Sequence, residues 1–105
     1  MNLLDGVALN LENPDSFEIP SEEEKARVKV GDFVKIGFKH NAGPRGALIS
    51  AERMWVQVTG PGVGVLDNDP VVVFMTIGDK VKFKPKNILS ILSTEVPAGP
   101  QEMAP

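Results

Sequence analysis

Two segments, Lys29–Lys39 (KVGDFVKIGFK) and Thr76–Lys86 (TIGDKVKFKPK), place a Gly-Asp pair at the head of an alternating run and agree at five of eleven positions. Glycine supplies a positive φ and aspartate bonds nearby backbone, so each pair reads as a turn that opens a strand. In the first run Val34, Ile36 and Phe38 share one face, and Phe33, Lys35 and Lys39 share the other. The stretch SAERMWVQVTG, Ser50–Gly60, repeats the pattern with Met54, Val56 and Val58 opposite Arg53, Trp55, Gln57 and Thr59. A chain built from such runs needs one apolar interior and leaves one polar strand face outside.

The remaining segments extend this reading. Gly60-Pro61-Gly62 is a turn, VGVLDNDP is a short strand stopped by Asp67-Asn68-Asp69-Pro70, and VVVFMTI is a continuous apolar run suited to a buried strand or core plug. IGDKVKFKPKNILSIL predicts a strand, a helical turn near Pro85-Lys86-Asn87 and a last short strand. HNAGPRGALISA, between the first two long strands, reads as a loop. In SEEEKARV, Ser21 and Glu24 have capping-box spacing, which predicts one short helix. Short strands at close spacing, without a long parallel crossover, predict a mainly β (α+β) fold. The expected form is a small, strongly bent antiparallel sheet or SH3-like half-barrel with one short amino-terminal helix. Residues 1–20 read as an acidic extended arm, with Val7, Leu9 and Leu11 suited to a short strand, because Asn13-Pro14 and Ile19-Pro20 disfavour helix. Residues 21–94 form the β-rich domain and residues 95–105 a flexible tail.

Composition narrows the chemistry. The 105 residues contain no cysteine, no tyrosine and one histidine, so neither a disulfide framework nor a zinc site is expected. No apolar run approaches the roughly 20 residues needed to span a bilayer, and the start lacks a signal-peptide pattern. A cytoplasmic protein with no membrane association is therefore expected. His40 is the only candidate general base, and no G-x-S-x-G elbow accompanies it. Asp32, Asp67, Asp69 and Asp79 are assigned to turns, leaving little for paired-carboxylate chemistry. No enzyme activity, cofactor or metal is expected.

Charge is unevenly spread within the net −3. Residues 1–24 hold seven acids and no base, whereas residues 25–94 hold all eleven Lys and Arg against five acids. The candidate ligand-binding residues are Arg53, Trp55, Gln57 and Lys35 on the polar strand faces, with His40 and Arg45 in the glycine-rich loop. Basic side chains interleaved with an aromatic ring suit a nucleotide, because charge holds phosphate and the ring stacks on a base. The alternative for Trp55 and Phe33 is a second small core covered by the leader or the helix. The alternative for HNAGPRG is a mobile surface loop.

The blocks FEIPSEEE, VGDFVKIGF, ERMWVQV, GVLDNDP and IGDKVKFKPKNI together resemble an uncharacterised bacterial domain-of-unknown-function family, the YegJ-like domains. The resemblance covers roughly residues 17–92 and is most specific at ERMWV and LDNDP. The loop His40–Ala51 departs from it, being longer and richer in glycine. The resemblance supports the fold and implies no activity. The expected function is a non-enzymatic module that holds a small anionic, nucleotide-like ligand without turnover, a kind of protein that is often a homo-oligomer with its pocket at the interface. The alternative is an inhibitor or immunity protein that occludes a partner protein, with the acidic arm mimicking nucleic acid. General nucleic-acid binding is a weaker third reading because the chain is acidic overall.

Overall fold

The computed structural model describes residues 2–41, 49–70 and 75–93. The two Gly-Asp segments form the same turn twice. In each, glycine takes a positive φ (Gly31 99°, Gly78 96°). The aspartate carboxylate then accepts the backbone N–H three residues earlier: Asp32 from Lys29 at 3.1 Å, Asp79 from Thr76 at 2.8 Å. Each aspartate also joins its turn to a neighbouring strand. The Asp32 carbonyl accepts Val58 N–H and the Asp79 carbonyl accepts Leu66 N–H, both at 2.8 Å. In return Gly31 N–H donates to the Val58 carbonyl and Gly78 N–H to the Leu66 carbonyl. The shared Gly-Asp pair thus encodes a turn together with its attachment to the sheet.

Five strands follow: β1 (Phe33–Asn41), β2 (Ile49–Gly60), β3 (Val63–Leu66), β4 (Lys80–Lys82) and β5 (Ser90–Leu92). They form one antiparallel sheet in the order β4-β3-β2-β1-β5, and its edge strands do not pair with each other. The register sets Val34 opposite Val56 and Ile36 opposite Met54. Because side chains alternate, the even positions of β1 to β3 all face one side. Val34, Ile36, Phe38, Met54, Val56, Val58 and Leu66 are buried there, joined by Val81, Phe83 and Ile88. The strand-to-strand link from β4 to β5 carries Phe83 and Ile88 into this core and includes the 3-10 turn Pro85–Asn87. The mainly β class with an open, five-stranded antiparallel sheet is as the alternation predicts.

The glycine-rich segment is shorter than a loop from His40 to Ala51. Strand β1 continues to Asn41 and β2 begins at Ile49, with His40 paired to Ser50. Residues 42–48, most of the VVVFMTI run (71–74) and the tail beyond residue 93 lie outside the described residues.

The leader departs from the extended arm expected of it. Residues 6–12 form helix α1 (Gly6–Glu12), not a strand. Alternating Val7, Leu9 and Leu11 misled because Leu11 stands mostly in solvent, at 76% exposed. The decisive signals were polar: Asp5 accepts Ala8 N–H at 3.0 Å as the N-cap, and Asn13-Pro14 ends the helix. The bond from Ala8 holds the Asp5 carboxyl below its ordinary value against the opposing effect of burial, with further help from Lys86 at 3.7 Å. The predicted helix is α2 (Glu22–Ala26), with both bonds of the Ser21–Glu24 capping box present.

Residues 2–4 are part of the sheet. Strand β5 covers only Phe33–Lys35 of the β1 edge. Beyond it, Lys39 N–H donates to the Asn2 carbonyl and Leu4 N–H to the Gly37 carbonyl, both at 2.9 Å, with Leu3 bridged to Phe38. Leu3 packs on the core, and Leu4 lies over Gly37, where an added Cβ would stand 2.5 Å from Leu4 Cδ1. Buried Asn87 fixes this arrangement by donating to the Leu4 carbonyl at 2.9 Å while accepting Lys84 N–H at 2.9 Å. The leader is therefore integral to the domain and does not form a detachable arm.

Two substitutions test these points. Gly78 has no atom within 4 Å of an added Cβ, so Gly78→Ala isolates the cost of positive φ. It is expected to lower stability by about 1–3 kcal/mol in urea denaturation. Asn87→Ala strands the Leu4 carbonyl and Lys84 N–H and is expected to cost about 1–3 kcal/mol. Amide exchange at Leu4 and Lys39 would speed up in the same variant.

Candidate functional site

The odd positions of β1, β2 and β3 face away from the core. Among the described strand residues this face carries Lys35, Lys39, Arg53, Lys80 and Lys82 and no acid. It is the positively charged side of the sheet, as the alternation implied. Its centre is Trp55, paired directly with Lys35. The Lys35 ammonium lies 4.9 Å from the Trp55 ring centroid, within cation–π range. Trp55 and Lys35 are half-buried, whereas Arg53 is exposed. Gln57, half-buried, sits between Phe33 and Val65 in the next cross-strand row.

Trp55 owes its position to backbone capping as much as to strand pairing. Beyond the end of β3 its carbonyl accepts Asp67 N–H at 2.9 Å, and its own N–H donates to the Asn68 side-chain oxygen. The LDND segment so replaces a strand along this part of β2, satisfying backbone groups that an edge would leave open. Turn chemistry was legible in Asp67-Asn68-Asp69. Its attachment to Trp55, thirteen residues away, was not.

The leader covers part of the same face. Leu4 occupies the space above Gly37, the residue opposite Arg53, and the Arg53 guanidinium carbon lies 5.5 Å from the Phe17 ring centroid. Phe17 is positioned by Asn10, whose amide donates to its carbonyl at 2.7 Å. The face is thus a small second layer around Phe17 and Leu4 at one side, with Trp55 remaining half-exposed. Phe17 carries no strand periodicity, and only the N-terminal helix brings it to Arg53.

Of the six predicted ligand-binding residues, the structure brings Lys35, Arg53, Trp55 and Gln57 onto one face. The backbone of His40 lies in β1 and that of Arg45 is outside the described residues, so neither side chain is assigned to the face. Among the described residues no three His, Cys, Asp or Glu side chains group as metal ligands, and no helix is long and apolar enough to cross a membrane. The sequence reading overlooked a second concavity, beside α2, whose lining includes buried Lys25 and exposed Lys29. A lysine in a capped helix signals nothing by spacing alone.

No family model, no curated protein and no solved structure matches the chain. The likeness to the YegJ-like domains therefore rests on the quoted blocks alone.

Replacing Asn68 with Ala is expected to destabilise the protein by about 1–3 kcal/mol, since Trp55 N–H loses its partner. Hydrogen exchange at the Trp55 amide would accelerate more than at Val56, which stays in the ladder.

Proposed function

We propose that this protein is a non-enzymatic binding module that holds a small anionic, nucleotide-like ligand on the Lys35–Trp55–Arg53 face. The observation that carries this reading is the half-buried Trp55 ring with Lys35 at 4.9 Å, on a strand face whose described charges are all positive. An indole face stacks on a base for about 1–3 kcal/mol, and Lys and Arg complement phosphate. In this reading Trp55 stacks, Lys35 and Arg53 hold the phosphate, and Gln57 contacts the edge of the base. The absence of cysteine suits a cytoplasmic setting.

A second reading is occlusion of a basic partner protein. It is favoured by Glu22, Glu23 and Glu24, which are consecutive and exposed on α2. The acidic surface would then act from within the folded domain, because the leader is tied to β1.

Isothermal titration with AMP, GMP and their cyclic forms, read beside Trp55 emission, tests the first reading. Binding with altered emission is expected, weakened about tenfold or more by Lys35→Ala or Trp55→Ala. Glu23→Lys would leave it intact. No heat and an unchanged spectrum at high protein concentration would defeat the nucleotide reading.

A further inference from the structure

We propose that a groove beside α2, separate from the Trp55 face, binds a small aliphatic carboxylate, with the Lys25 ammonium holding the head group. The groove encloses about 380 Å³, within the range of small-ligand sites. It is lined by Val28, Val58, Phe83 and Ile88, with exposed Lys29 as a second cation, and bordered by the Gly60-Pro61-Gly62 turn. The turn contributes little side-chain bulk, which leaves that border open. Val58, Phe83 and Ile88 belong to the core, so an apolar chain entering the groove would extend the core's own surface.

Lys25 is the unusual feature of this lining. Its side chain is 2% exposed although lysine is rarely buried without a strong partner. Among the described residues its partner is Glu22 at 3.3 Å, whose side chain is 77% exposed. An exposed i,i+3 carboxylate satisfies a buried ammonium weakly, because water competes for it. From the core, Val58, Phe83 and Ile88 contribute apolar side chains to the groove. An incoming carboxylate displaces Glu22 to solvent, takes the ammonium's hydrogen bonds and buries its chain against Val58 and Phe83. Apolar lining and one buried cation select an amphipathic anion. A sugar phosphate would leave its hydroxyls unpaired there.

The test is a titration of the full chain with sodium octanoate, with 1-octanol as the uncharged control, followed by amide NMR. Octanoate is expected to shift the Val28, Gly60 and Gly62 amides. Lys25→Met, which keeps the length and apolar stem of lysine, is expected to weaken octanoate binding about tenfold or more and to spare octanol. Glu22→Gln removes the competing carboxylate and is expected to tighten octanoate binding. Trp55→Ala is expected to leave it unchanged, which separates this site from the nucleotide face. Should Lys25→Met not fold, the Glu22→Gln comparison and the map of shifted amides still decide. No octanoate binding at millimolar concentration, shifts confined to the Trp55 face, or weaker binding by Glu22→Gln would each overturn the proposal. So would equal octanoate affinity in folded Lys25→Met.

Discussion

The paired Asp32–Val58 and Asp79–Leu66 attachments govern the rest of the structure. A β-strand has no intrinsic register, and a slip of one residue would turn every side chain to the opposite face. Each Gly-Asp turn removes that freedom by fixing a backbone carbonyl against one defined N–H of the neighbouring strand. With Asp32 on Val58, Val34 must meet Val56 and Ile36 must meet Met54. With Asp79 on Leu66, Val81 must meet Gly64. Both anchors direct apolar positions inward, and Asp32 itself is only 2% exposed. Local turn chemistry and hydrophobic burial therefore favour the same arrangement, a consistency expected of a sequence with one native state.

That arrangement leaves part of β1 uncovered, and the leader resolves it. Strand β5 is three residues long and β1 nine, so an unpaired edge would remain beyond Lys35. Residues 2–4 fill it, and Asn87 ties them to the turn between β4 and β5. Since successive residues of an extended segment point to opposite faces, Leu3 completes the core while Leu4 covers the outer face. The acidic character of the leader thus coexists with a structural role for its apolar residues.

The two candidate sites place cations in contrasting surroundings. On the outer face, Lys35 and Arg53 lie against aromatic rings with access to water, a setting for phosphate and a stacked base. Beside α2, Lys25 is withdrawn from water among aliphatic groups, a setting for a carboxylate on an apolar chain. The difference follows from the fold: one cation group rides on strands facing outward, whereas the other closes an end of the core.

Fold class, the inward and outward sets of β1 and β2, both Gly-Asp turns and the Ser21 helix start were legible in the sequence. Each depends on residues close in the chain, where period and cap chemistry act directly. The role of Trp55 was half legible: alternation put it on Lys35's face, but its tether to Asn68 and the packing of Phe17 on neighbouring Arg53 are long-range contacts. Helix α1 was missed because an i, i+2, i+4 apolar pattern outweighed a single N-cap at Asp5. The burial of Lys25 was invisible, since a helix shows which residues share a side but not what lies opposite. The strand faces and the turns that hold them follow from residues near one another in the chain, through local geometry. The leader's place in the sheet and the burial of Lys25 beside the core lie beyond such local rules, because both depend on segments that meet solely when the chain has closed around its interior.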